Sequence, residues 1–116
     1  MLKKNIVKEK SFVFACEIVS LHKILVERKE FVLSRQLLRS GTSIGANIRE
    51  SEQAESTPDF IHKLAIALKE ANETEYWLEL LFATKYISEL ELQTIHPKLS
   101  ELLRLLTRII KTTKNK

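Results

Sequence analysis

Thr57-Pro58-Asp59-Phe60-Ile61-His62-Lys63-Leu64-Ala65-Ile66-Ala67-Leu68-Lys69-Glu70-Ala71 decides how this chain folds. Thr57 offers a hydroxyl at the N-cap, Pro58 has a preset φ for the first helical position, and Asp59 puts an acid in the first turn, so a helix starts here. Downstream, Phe60, Leu64, Ala67, Ala71, Thr74, Leu78 and Leu81 recur at alternating spacings of four and three. That is the period of a helix with one apolar stripe, and it runs to about Tyr86. Ser88-Glu89-Leu90-Glu91 then has the capping-box arrangement and opens a further helix, with Leu92, Ile95, Leu99, Leu102, Leu106 and Ile109 facing inward. Pro97 lies inside this pattern and either kinks the helix or marks a later start.

Upstream, Leu33, Leu37, Gly41, Ile44 and Ile48 form the stripe of a second helix. A first helix is expected from Ser11 as N-cap, with Phe12, Cys16, Val19 and Val26 on one face and Phe14, Ile18, Leu21 and Leu25 on an adjoining one. It ends at Glu27-Arg28-Lys29-Glu30, read as a solvated charge cluster where the chain turns, and Cys16 reads as a buried small hydrophobe. Residues 1–10 and 111–116 read as basic, frayed ends. Four helices joined by short connections predict an all-α antiparallel up-down-up-down four-helix bundle, one domain over residues 1–116. Leu103, Leu105 and Ile110 on the last helix, with Trp77, Leu80 and Phe82 on the third, widen the apolar stripes beyond the needs of one bundle. Self-association through those flanks is the expectation.

Composition agrees. Of 116 residues, 44% are hydrophobic and 29% charged, so the chain is too apolar for disorder. Two glycines and two prolines are too few for a sheet protein and exclude a glycine-rich phosphate loop or dinucleotide fingerprint. Both glycines, Gly41 and Gly45, fall within the second helix, where each costs about 1 kcal/mol relative to alanine. Close approach of another helix backbone is the reading that offsets this cost.

The net charge of +4 is unevenly spread. Residues 1–49 hold ten Lys/Arg against four Glu, residues 50–91 three against ten Asp/Glu, and residues 92–116 six against one. An antiparallel bundle brings its two termini to one end, so Lys3, Lys4, Lys8, Lys10, Arg104, Arg108, Lys111 and Lys114 converge there as a candidate nucleic-acid-binding face. Asn47, Glu50, Asn72, Glu73 and Tyr76 are read as a polar layer that fixes the register of the second and third helices. A metal site of the bundle type needs Glu-x-x-His on two helices, which is missing, and three scattered histidines make no catalytic arrangement. No catalytic residue, metal or cofactor is expected. Cys16 is the only cysteine, so no internal disulfide forms. No leader-like or membrane-length apolar stretch follows Met1-Leu2-Lys3-Lys4, and the expectation is a cytoplasmic protein without membrane contact.

Two blocks carry a resemblance. Ser40-Gly41-Thr42-Ser43-Ile44-Gly45-Ala46-Asn47-Ile48-Arg49-Glu50 is followed by Asp59-Phe60-Ile61-His62-Lys63-Leu64 and Ala67-Leu68-Lys69-Glu70-Ala71-Asn72-Glu73-Thr74-Glu75-Tyr76-Trp77-Leu78. In this order they resemble the bacterial four-helix-bundle family that includes proteins encoded by intervening sequences in 23S ribosomal RNA genes. The resemblance covers about Ser11 to Ile110. It implies a small helical bundle, often a homopentamer, with no known catalytic activity. It also implies kinship with the accessory protein of diversity-generating retroelements, a basic pentamer that binds nucleic acid and works with a reverse transcriptase. Many members carry Glu-Gly after the asparagine block, where this chain has Glu50-Ser51. The expected function is a non-enzymatic oligomeric bundle that binds RNA or a ribonucleoprotein through its basic face. The alternative is a protein-interaction module without nucleic-acid binding.

Overall fold

The structure is a computed structural model that describes residues 2–116, with side chains from Ile6 onward. It contains four helices, α1 (Leu2–Glu27), α2 (Leu33–Ser51), α3 (Thr57–Ala83) and α4 (Glu89–Lys114), and no strand among the described residues. The fold is the all-α antiparallel bundle. Each helix packs on its two neighbours in the ring α1–α2–α3–α4, and α1 meets α4 over the smallest contact. The 46 Å long axis is a little more than the ~39 Å that 26 helical residues span.

The periodic stripes of α2, α3 and α4 are the core. Leu37, Ile44 and Ile48 meet Leu64, Ala67, Ala71, Leu78 and Leu81 of α3 and Ile95, Leu99, Leu102 and Leu106 of α4. Helix α1 contributes Val7, Phe14, Ile18, Leu21 and Leu25. Its second face is not buried: Phe12 is 55% exposed, and Cys16, Val19 and Val26 are exposed beside it, so Cys16 is not the buried hydrophobe that its neighbours suggest. Conversely, Trp77, Leu103, Leu105 and Ile110 of the supposed surplus pack against the core, leaving Phe82 exposed. Much of the uncovered apolar surface therefore lies on α1, with Phe31, Val32, Tyr76, Phe82 and Leu90 exposed elsewhere.

Three boundaries differ from expectation. Helix α1 does not start at Ser11; that residue is buried inside the helix and its Oγ donates to the Lys8 carbonyl at 2.9 Å, so the hydroxyl bonds backward instead of capping. Residues 2–10 and 111–114, expected as frayed ends, are helical, and Val7 anchors the first of these turns in the core. The N-cap of α3 is Ser56, one residue before Thr57, and its side chain accepts from the Asp59 N–H at 3.2 Å. In α4 the capping box is present: Ser88 Oγ accepts from Glu91 N–H at 3.1 Å while Ser88 N–H donates to Glu91 Oε1 at 2.8 Å. The helix therefore starts before Pro97 and continues through it. Pro97 and Gln93 are both exposed, where water can serve the carbonyl that the proline cannot.

The two turns at the far end of the bundle are alike. Lys29 (φ 66°) and Lys85 (φ 70°) take the left-handed position that helix C-termini usually give to glycine. Lys29 N–H donates to Val26 O and Glu30 N–H to Leu25 O, each at 2.9 Å, and Lys85 and Tyr86 repeat this pattern on Phe82 and Leu81. Glu30 is not solvated. It is 7% exposed and its carboxylate accepts from the N–H groups of Val32, Leu33 and Ser34, capping α2 from three residues before the helix begins.

Candidate nucleic-acid interface

Ion pairs set the register of α1 against α4. Lys10 Nζ lies 3.3 Å from Glu101, Lys98 pairs with Glu17, and Arg28 reaches Glu91 at 2.8 Å near the turns. The early part of α1 thus lies beside the late part of α4, and the two basic segments occupy one end of the bundle. Their members differ in what they touch. Lys8 pairs with Glu52, the C-cap of α2, at 3.1 Å and Lys10 with Glu101, so these two charges are largely committed within the fold. Arg104, Arg108, Lys111 and Lys114 are exposed and form no ion pair with any described residue. The side chains of Lys3 and Lys4 lie outside the described residues.

Spacing explains the stripe. Arg104, Arg108 and Lys111 follow at intervals of four and three, on the face turned away from Leu99, Leu102 and Leu106. A cleft of about 660 Å³ opens beside them, lined by Arg108, Thr112, Thr113 and Lys116 of the C-terminal segment and by Ser56 and Thr57 at the start of α3. Arg49 extends the basic surface onto α2, where its guanidinium sits 5.4 Å above the Phe12 ring. Arg49 was not among the expected contacts. Its signal was the antiparallel register, in which Gly45 faces Ser11 and Glu52 faces Lys8, so Arg49 falls beside Phe12.

The expected polar layer does not assemble. Asn47 Nδ2 donates to Ser43 O at 2.9 Å and Asn72 Nδ2 to Leu68 O at 3.2 Å, each within its own helix. Glu50 is exposed and pairs with Lys63 at 3.1 Å, and Tyr76 is exposed with its ring edge-on to Trp77. Glu73 also bridges α2 and α3, accepting from Trp77 Nε1 of its own helix and from Arg39 of α2, which pairs with Glu70 at 3.2 Å as well. Trp77 first and Arg39 second hold the Glu73 carboxyl below the ordinary glutamate range, against partial burial. The buried polar contact between the helices is instead Ser40 with Thr74, whose hydroxyls lie 2.9 Å apart. The two asparagines, half-buried at Asn47 and exposed at Asn72, satisfy their amides on the carbonyl one turn back in their own helices.

Gly41 and Gly45 face α1. A Cβ on Gly41 would lie 2.8 Å from Ile18 Cγ1, and one on Gly45 would lie 3.3 Å from Ser11 Oγ. These two positions let α1 lie close along α2.

No described helix is long and apolar enough to cross a membrane. Among solved structures, a crystal structure of a protein of unknown function from the S23 ribosomal protein family of Bacteroides thetaiotaomicron is similar. It is 63% identical, superposes with a TM-score of 0.92, and the match covers 94% of this chain and 98% of that one. No curated protein matches the chain. The model of the family described as 23S rRNA-intervening sequence protein matches residues 3–108, nearly the whole bundle, and the chain belongs to that family.

Proposed function

We propose that this protein is a non-enzymatic, self-associating cytoplasmic bundle that binds RNA, alone or in a ribonucleoprotein, through the basic end that carries both termini. The observation that carries this reading is the exposed row Arg104, Arg108 and Lys111, which no carboxylate among the described residues neutralises. Guanidinium and ammonium groups held along one helix face neutralise successive phosphates and release counterions, and they do so without reading bases. Nothing in the four helices forms a groove-reading element. The family description, with its reference to 23S rRNA, supports RNA over other polyanions.

Self-association is supported by α1. Ile6, Phe12, Val13, Val19 and Val26 expose apolar side chains on its outer surface, although its inner surface already fills the core. A row of exposed apolar side chains along one helix calls for cover. The cover proposed is other copies of the chain, in the pentamer that the resemblance implies, and a ring of copies would multiply the basic ends.

The test is titration of a structured rRNA fragment at two salt concentrations. Three phosphate contacts per protomer give a log–log slope near −2 to −3, so affinity falls about 30-fold between 50 and 200 mM salt. The double variant Arg104→Ala/Arg108→Ala should flatten that slope by about 2. Absence of binding even at low salt overturns the RNA reading, and sedimentation as a monomer at micromolar concentration overturns self-association.

A further inference from the structure

Glu75 and Glu79 lie one turn apart on α3, and His96 faces them from α4. One ligand atom from each lies within 4.8 Å of the other two, and His96 Nε2 is 2.8 Å from Glu75 Oε2. Glu75 and His96 are half-buried and Glu79 is exposed, so the cluster has a protein floor and an open side. We propose that these three side chains form a binding site for a divalent transition-metal ion, zinc above all, that clamps α3 to α4.

The chemistry favours it in three respects. First, zinc bonds of 2.0–2.2 Å in tetrahedral array put neighbouring ligand atoms about 3.4 Å apart. The 2.8 Å Glu75–His96 contact is a hydrogen bond that the ion replaces, the two atoms parting slightly, and rotation of the outer Glu79 side chain brings in the third ligand. Second, no lysine or arginine among the described residues pairs with either acid. Two carboxylates at i and i+4 repel each other, and Glu79 makes no hydrogen bond or ion pair with any described residue. A divalent cation neutralises both acids. Third, the imidazole is oriented for ligation: Nε2 points at the carboxylates while Ser100 Oγ lies 3.5 Å from Nδ1, on the side where a metal-bound histidine usually finds its outer partner. One nitrogen with two oxygens selects zinc and its transition-metal neighbours over magnesium, which prefers oxygen alone.

Sequence gives little hint of this group, because the histidine and the acids sit on different helices. The spacing familiar from metal-binding bundles keeps both ligand types on one helix.

The experiment is calorimetric titration of the chelator-washed, full-length protein with zinc chloride, paired with thermal unfolding. One zinc per chain is expected, with a midpoint that climbs as zinc is added because the ion binds only the folded pair of helices. Glu79→Gln and His96→Gln should each weaken binding at least tenfold. Glu79→Gln should leave the metal-free midpoint unchanged, since Glu79 supports nothing else. Cys16→Ser and His62→Gln remove other potential zinc donors and should leave uptake as it is. Magnesium at millimolar concentration should not compete. No saturable uptake by the wild-type protein, uptake undiminished in Glu79→Gln or His96→Gln, or uptake lost in Cys16→Ser or His62→Gln would overturn the proposal.

Discussion

Ile18 packs so closely over Gly41 that a methyl group on the glycine would lie 2.8 Å from Ile18 Cγ1 and 2.9 Å from Cγ2. Those atoms branch directly from the Cβ of a stiff, fully buried side chain, which cannot swing aside. Gly41→Ala should therefore destabilise the bundle by about 1–3 kcal/mol, despite a gain in helix propensity of about 1 kcal/mol. Gly45→Ala meets only a hydroxyl at 3.3 Å and should stay within about 0.5 kcal/mol of wild type. Urea unfolding of the two variants side by side checks the contrast, and equal effects would show that the helices are not held at the Gly41 contact.

Glu30 replaces a conventional cap on α2. Its carboxylate serves three backbone N–H groups, and it is buried where water cannot substitute. Glu30→Ala should cost about 2–3 kcal/mol, the range for hydrogen bonds to a charged group. Substitution of exposed Glu27 should cost less than about 0.5 kcal/mol. Chemical denaturation separates the two.

Lys29 and Lys85 hold left-handed backbone where a side chain is unfavourable by about 1–2 kcal/mol. Lys29→Gly and Lys85→Gly should each stabilise the protein by about 0.5–1 kcal/mol, part of the relief being lost to greater freedom of the unfolded chain. A lower midpoint in either variant would contradict the turn geometry.

Glu91 ties the start of α4 to the turn after α1: it accepts from Arg28, just past the end of α1, and from the backbone N–H of Ser88. The Arg28 bonds first, and Ser88 second, bring its carboxyl from 4.5 down to about 2. A carboxyl whose pKa is lower folded than unfolded gives its full stabilisation above the unfolded value and loses it as pH falls toward the folded one. The contribution is thus present at pH 6 and fades between about pH 5 and pH 2. With solvent screening of this partly exposed pair it amounts to roughly 1–2 kcal/mol. Glu91→Gln should remove about that much at neutral pH and flatten the acid limb of the stability curve.

The stripes of α2, α3 and α4 were legible because a buried helix face needs a regular period, and Leu37, Ile44, Leu64, Leu78, Leu99 and Leu106 keep it. The capping box at Ser88 was legible because both partners lie within four residues. Ser11 misled, since a hydroxyl that bonds back to its own helix looks, in sequence, like one that caps the next. The inward face of α1 could not be told from its outward one, as Ile18 and Val19 are equally apolar. Cross-helix polar partners were the least accessible: Ser40 with Thr74, or Glu75 with His96, depend on how far each helix is rotated about its axis, which no local pattern records.

The ring of helices closes at α1 and α4, the smallest contact, and Lys10–Glu101, Lys98–Glu17 and Arg28–Glu91 bridge it. Charged bridges weaken with ionic strength, whereas the extensive apolar packing of α2 on α3 does not. The bundle therefore has a built-in order of opening. Amides of α1 should exchange with solvent in advance of those of α3, and added salt should widen the gap. Salt that screens the exposed charges of Arg104 and Arg108 would at the same time loosen the seam between α1 and α4 beside them.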